Sequence, residues 1–154
     1  MATTENEINK LARQHNVLKI FYEGCFAMEE YPTTFKPNSL YFLNTSSRES
    51  SPVDGHWTVL YVSYNGLKVF FNSAGLPPKI ALAEKLLKEK LYVYNKDILQ
   101  HPSYDSCGRW CLLFGALLAR GKSLYDIKAN FTEDLVRNEK VLVHLYAREF
   151  DHGV

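Results

Sequence analysis

The stretch His56–Ser73, HWTVLYVSYNGLKVFFNS, is rich in β-branched and aromatic residues on both sides of Asn65-Gly66. Two such runs around an Asn-Gly pair predict a β-hairpin. Its register decides which side chains share a face. A two-residue Asn65-Gly66 turn pairs Tyr64 with Leu67 and sends Asn72 to the face opposite His56. A three-residue loop, Tyr64-Asn65-Gly66 with Gly66 left-handed, pairs Ser63 with Leu67 instead. Thr58 then opposes Asn72, and His56 becomes its same-face diagonal neighbour, about 7–8 Å away. The three-residue loop with a glycine bulge is the predicted form.

Upstream of the hairpin, TTENEINKLARQ predicts a helix. Thr4 and Glu7 form a capping-box pattern, and Ile8 and Leu11 supply the apolar face. EGCFAMEEYPTTFKPNS, with its two prolines, reads as irregular and places Cys25 in a loop. LYFLNTS predicts a strand and SSRESSPVDG a polar loop. Downstream, Pro77-Pro78 precede a predicted helix, KIALAEKLLKEKL. YVYN predicts a short strand, and DILQ is a further candidate strand. SCGRWCLLFGALLARG is a helix apolar nearly all round, hence central and buried, with Gly121 as its stop. SLYDIKANF predicts a helix, and TEDLVRNEKVLVHLYAREF another, with Thr132 as N-cap. The order predicts one α+β domain over residues 1–154: a small, mostly antiparallel sheet around one buried helix.

The bulk properties set limits. The chain has 154 residues, 46% hydrophobic and 23% charged, with a formal net charge of +1. That balance suits a globular domain and demands no nucleic-acid partner, since phosphate contacts need clustered Lys and Arg. KLLKEK with Arg120 and Lys122 is either such a cluster or a solvated helix face, so nucleic acid stays open as a partner. MATTENEINK lacks the apolar region of a signal peptide, and WCLLFGALLA is too short to span a membrane. The chain is therefore expected inside the cell and not secreted. Three cysteines, Cys25, Cys107 and Cys111, are expected as free thiols in a reducing compartment. No paired CxxC pattern appears, so a structural zinc site is not expected; no cofactor is expected either.

Cys107 sits where a polar, turn-prone segment, ILQHPSYDS, becomes the apolar helix. A helix N-terminus stabilises a thiolate, which is the nucleophilic form. Gly108 behind it has no side chain and lets a substrate approach. A cysteine at a helix start serves equally well as a small buried apolar residue. A nucleophilic cysteine needs a base, and His56 opens the hairpin. The Asn72 carbonyl can accept the Nδ1–H of His56 and leave Nε2 facing the thiol, a Cys–His–Asn arrangement. Gln100 lies seven residues before Cys107. Its amide can join the Cys107 N–H in holding an oxyanion, or it is an ordinary turn residue.

GHW, then VFFNSAG, then Gln100, then SCG opening an apolar helix resembles the adenain family of adenovirus-type cysteine endopeptidases. That family belongs to the papain-like clan that includes the SUMO-specific proteases. FLNTSSRESSPVDGHW looks like the family's Asn-Thr and Arg-Glu stretch before its catalytic His-Trp. FTEDLVRNEKVLVHLYAREF looks like its C-terminal helix. The resemblance covers about residues 20–150. It implies adenain-type topology, with Cys107 as nucleophile, His56 as base, Asn72 as its orienting residue and Gln100 in the oxyanion hole. Trp57 resembles the clan's aromatic beside the histidine, a substrate-side contact, or is a plain core tryptophan.

The resemblance further implies a viral endopeptidase, a monomer acting in the virion and the host nucleus or cytoplasm. Its substrates would be viral precursor polypeptides, cut at glycine-containing sites during virion maturation. Some members are switched on by a peptide or by DNA; no activating cysteine maps onto this chain. Two departures stand out. Asn72 replaces the usual acidic residue and stabilises an imidazolium less. The chain also lacks an extended segment between hairpin and nucleophile. Two other readings share these residues: a protease for ubiquitin or ubiquitin-like modifiers, and a catalytically weak pseudo-protease that binds a partner.

Overall fold

The computed structural model describes residues 3–49, 55–88 and 92–151. The centre of the predicted polar loop, 50–54, and the end of the predicted helix KIALAEKLLKEKL, 89–91, lie outside the described residues. The element order is α1 (Glu5–Gln14), α2 (Leu18–Phe21), β1 (Tyr22–Phe26), β2 (Ser39–Asn44), β3 (Trp57–Val62), β4 (Lys68–Phe71), α3 (Ile80–Lys88), β5 (Tyr92–Tyr94), α4 (Cys107–Ala119), α5 (Leu124–Lys128) and α6 (Leu135–Phe150). The class is α+β, with one five-stranded sheet in the order β1-β2-β3-β4-β5.

The central pairs β2–β3 and β3–β4 are antiparallel, the second joined by the short hairpin loop. Both outer pairs, β1–β2 and β4–β5, are parallel. The sheet is thus mixed where mostly antiparallel pairing was expected. The physical reason is that both outer connections cross over: α3 carries the chain from β4 back to the start of β5. β1 also corrects the reading of EGCF as loop, and Cys25 stands on this strand. Gly24, at φ +145°, sits where its ladder with β2 slips between Tyr22 and Gly24. That bulge masked the strand's pattern in the sequence.

Both faces of the sheet are covered. Leu40, Phe42, Val59, Val69 and Phe71 join the core that surrounds α4. Tyr41, Leu43, Leu60, Val62 and Phe70 join a second core with Leu82 and Leu86 of α3. Two-sided burial explains why β2 to β4 read as nearly unbroken apolar runs. α4 is buried along most of its length, and Phe114 stacks on Phe71 with ring centroids 3.7 Å apart. Gly121, at φ +93°, ends the helix by returning its N–H to Leu118 O.

Local signals held where they were local. The Thr4–Glu7 capping box is formed at α1. α6 begins two residues later than expected, with Asp134 as N-cap accepting the Arg137 N–H. Thr132 instead accepts the Asp134 N–H at 3.1 Å and shapes the turn before the helix. DILQ is not a strand: the N–H groups of Leu99 and Gln100 both go to Ser73 O rather than to a ladder.

Candidate active site

The hairpin has the three-residue loop. Val62 pairs with Lys68 and Val59 with Phe71. Ser63 N–H bonds Leu67 O at 2.9 Å, and Gly66 stands at φ +84°. Extending that register places Thr58 opposite Asn72 and His56 on the diagonal. His56 is also held from behind, because the Thr45 N–H bonds its carbonyl at 2.9 Å.

The two side chains meet: His56 Nε2 lies 2.7 Å from Asn72 Oδ1. The same Oδ1 accepts the N–H of Ala74 at 2.9 Å. An amide nitrogen cannot face that N–H, so the atom is the oxygen and Nε2 must donate to it. This corrects the expectation that Nδ1 binds Asn72. A diagonal neighbour is reached only by the far nitrogen of the ring, which leaves Nδ1 as the basic atom. Nδ1 makes no hydrogen bond among the described residues. The backbone of Asn72 is fixed in turn by buried Asn95, which accepts its N–H at 2.9 Å and donates to its carbonyl at 2.5 Å.

Cys107 is the first residue of α4. Its Sγ receives the N–H of Trp57, the residue after His56, at 3.5 Å. One turn on, the fully buried Cys111 thiol donates to the Trp57 carbonyl at 3.2 Å. The two sulfurs of one helix face thus grip both ends of one strand residue. The gripped peptide is the one beside His56, and Nδ1 is the ring nitrogen nearer that backbone. Trp57 itself is 8% exposed and packs in the core around α4, which leaves little of its ring for a substrate.

The electrostatics favour a neutral pair at rest. Burial pushes the Cys107 thiol above its ordinary range, opposed by the N–H groups of Trp57, Gly108 and Cys107 itself. Burial also lowers the His56 imidazole, opposed by the bond to Asn72. In both groups desolvation outweighs the local donors and acceptors. Gly108 does not open the site as expected. A Cβ there would lie 2.6 Å from Cβ of Thr3, so the N-terminal residues cover its Cα.

Gln100 is 9% exposed, and its amide is oriented at both ends. Ser73 Oγ donates to its Oε1 at 2.5 Å, and its Nε2 donates to Tyr104 O at 2.7 Å. One Nε2 hydrogen remains unassigned by these bonds. Asn72 and Ser73, adjacent at the exit of β4, therefore serve both halves of the site. Sequence reasoning missed Ser73, Asn95 and the α6 pair Asn138 and Glu139. Ser73 and Asn95 carried one signal, a polar residue just after an apolar strand, and Asn138 and Glu139 carried none. The Arg48 stretch has a structural role here: its guanidinium bridges Glu5 at 2.9 Å and Glu30 at 2.6 Å, tying the loop after β2 to α1.

All three cysteines are free thiols. Among the described residues no group of three or more His, Cys, Asp or Glu is placed to hold a metal. Nor is any helix among them long and apolar enough to cross a membrane.

No protein-family model matches the chain, and no curated protein matches it in sequence. Solved structures do. The ASFV pS273R protease aligns over 97% of this chain and 67% of its own, with a TM-score of 0.65 and 15% identity. The central domain of Lpg1148 from Legionella pneumophila aligns over 98% of this chain and 97% of its own, with a TM-score of 0.50 and 15% identity. At this identity the likeness is one of fold: this chain shares the fold of the ASFV pS273R protease.

Proposed function

We propose that this chain is a cysteine endopeptidase with Cys107 as nucleophile, His56 as general base, Asn72 as the residue that orients it, and Gln100 in the oxyanion hole. One observation carries the reading: Asn72 Oδ1, fixed by the Ala74 N–H, holds His56 Nε2–H and leaves Nδ1 as the basic atom, while the next residue, Trp57, gives its N–H to Cys107 Sγ at 3.5 Å. The fold shared with a viral protease and the motif order in the sequence support it. In this mechanism the Cys107 thiol passes its proton to Nδ1 as sulfur adds to the scissile carbonyl. The oxyanion takes the Cys107 N–H and the second Nε2 hydrogen of Gln100. His56 then protonates the leaving amine, the C–N bond breaks, and water releases the acyl-enzyme. Trp57 acts through packing that seats the histidine.

The substrate class we infer is viral precursor polypeptide, cut at glycine-containing sites during virion maturation, with the protein in the virion and host cell interior. The neutral Cys–His pair favours a second reading, a binding module whose site stays idle or awaits an activating peptide or DNA. The test is a cleavage panel: glycine-containing precursor peptides beside ubiquitin-like modifiers with Gly-Gly tails, each with wild type and Cys107→Ala. Cleavage of the peptides that vanishes in Cys107→Ala supports the endopeptidase. Cleavage of the modifiers alone moves the substrate class to them. No cleavage, together with an unreactive Cys107, supports the binding module.

A further inference from the structure

Glu139, on α6, is 5% exposed, and its carboxylate takes three hydrogen bonds from one segment of chain. Oε2 accepts the His101 N–H at 3.0 Å and the Trp110 indole N–H at 3.2 Å. Oε1 accepts the Ser106 hydroxyl at 2.6 Å. His101 follows Gln100, Ser106 precedes Cys107, and Trp110 lies in the first turn of α4. The neighbouring Asn138, fully buried, donates to Leu99 O at 3.2 Å. Two consecutive residues of α6 therefore hold the loop from just before Gln100 to just past Cys107.

A buried carboxylate needs such partners, so satisfaction alone explains little. The choice of partners explains more. Ser106 is the N-cap of α4, and an N-cap serine ordinarily turns its hydroxyl onto its own helix's first N–H groups. Here it makes no cap bond and turns to Glu139. The N–H groups of Cys107 and Gly108 are left facing the thiol. They stay available to a charge that develops there.

We propose that Glu139 is the positioning residue of the oxyanion loop. By binding His101, Ser106 and Trp110 it fixes Gln100 relative to Cys107 and keeps the first N–H groups of α4 uncapped. The inference rests on the peptidase reading above and is separable from it by experiment.

Two probes divide the chemistry. With iodoacetamide, sulfur displaces iodide from a saturated carbon: C–S forms, C–I breaks, and no oxyanion develops. With p-nitrophenyl acetate, sulfur adds to the carbonyl carbon and the oxygen takes the charge. The C–O bond then breaks, nitrophenolate leaves, and the thiol proton passes to His56. Glu139→Ala is expected to slow acetylation by roughly tenfold or more, as loss of oxyanion support does, with alkylation of Cys107 nearly unchanged. Ser106→Ala, which cuts one tether without emptying the core, should move the ratio the same way by a smaller factor. Glu139→Gln should restore most of it, because its carbonyl can keep His101 and Trp110 while its amide donates to Ser106 Oγ.

An unchanged ratio of the two rates in Ser106→Ala overturns the proposal, even if Glu139→Ala fails to fold. So does an equal fall in both rates. Wild-type alkylation indifferent to His56→Ala instead overturns the peptidase reading itself, whatever Glu139 does.

Discussion

The two halves of the proposed site, the base and the nucleophile, are built differently. The base half, His56 and Asn72, is set by one hairpin whose loop length fixes the register within 17 residues of chain, 56–72. The nucleophile half runs from Gln100, in a loop, to Cys107, the first residue of α4. It is held by contacts distant in sequence: Ser73 from β4, Asn138 and Glu139 from α6, and Thr3 from the N-terminal end. The hairpin's register and bulge set which residues meet, with Asn95 and Thr45 as the distant supports of Asn72 and His56. A tethered loop can be loosened one bond at a time. The base half should therefore respond to substitution as a switch and the nucleophile half as a graded series.

The largest effects are expected at the two residues proposed to react. Cys107→Ala should reduce peptide cleavage to the uncatalysed background, and His56→Ala should come close to it, since groups acting as a unit fail together. Both are read as kcat/KM on any peptide the wild type cleaves. Nearly wild-type turnover by either variant breaks the comparison at its root.

Asn72→Ala comes next. It removes the partner of Nε2 and leaves the Ala74 N–H without its acceptor. A loss of about 100-fold in kcat/KM is expected, within the range attributed to a well-placed base. Asn72→Asp sharpens the same point. A carboxylate beside the ring should raise the His56 titration midpoint above wild type, measured by NMR. An unmoved midpoint would mean that the two side chains do not touch in solution.

The joint between the halves is tested by stability. Gly75 stands at φ +73°, and a Cβ there would lie 2.7 Å from the backbone of Asp97, on the way to Gln100. Gly66 stands at φ +84° with nothing within 4 Å of its Cβ position. Gly66→Ala should cost about 1–2 kcal/mol for the left-handed backbone alone. Gly75→Ala should cost about 1–3 kcal/mol more for the clash, visible as a lower denaturant midpoint. Equal costs would place the Asp97 loop away from the hairpin.

The smallest effect is the pH dependence of stability. His56 is lowered by burial in the folded state, so the unfolded chain binds a proton more readily below the ordinary value of 6.5. Stability should fall as pH drops through that window, and His56→Ala should remove its share. Cys107 is raised from an ordinary value of 9.0, so its share is lost as pH rises above that point. Unfolding midpoints from pH 5 to pH 10 measure both slopes.

What the sequence made legible follows the same division. Register, bulge, capping box and helix stop each depend on residues within a few positions of one another. Gly66, Thr4 with Glu7, and Gly121 therefore announced them. The parallel edges of the sheet depend on where whole connections travel, and the Gly24 bulge hid β1. The choice of Nε2 over Nδ1 depends on the span of a diagonal, which the register implied but residue types did not state. Glu139 and Asn138 read as part of an ordinary amphipathic helix. Nothing in VRNEKV tells which polar residues turn inward until Leu99 and Ser106 are placed beside them.

On the proposed reading Cys107 and His56 act as one unit. The most direct measurement is the rate of Cys107 alkylation by iodoacetamide across pH, followed by mass spectrometry in wild type and His56→Ala. A coupled pair shares its proton, so the wild-type rate should level into a plateau near neutral pH before rising again as the thiol itself ionises. His56→Ala should lose the plateau and climb about tenfold per pH unit, as a lone buried thiol does. Two superimposable profiles without a plateau would contradict the account, leaving Cys107 a core cysteine at the start of a helix.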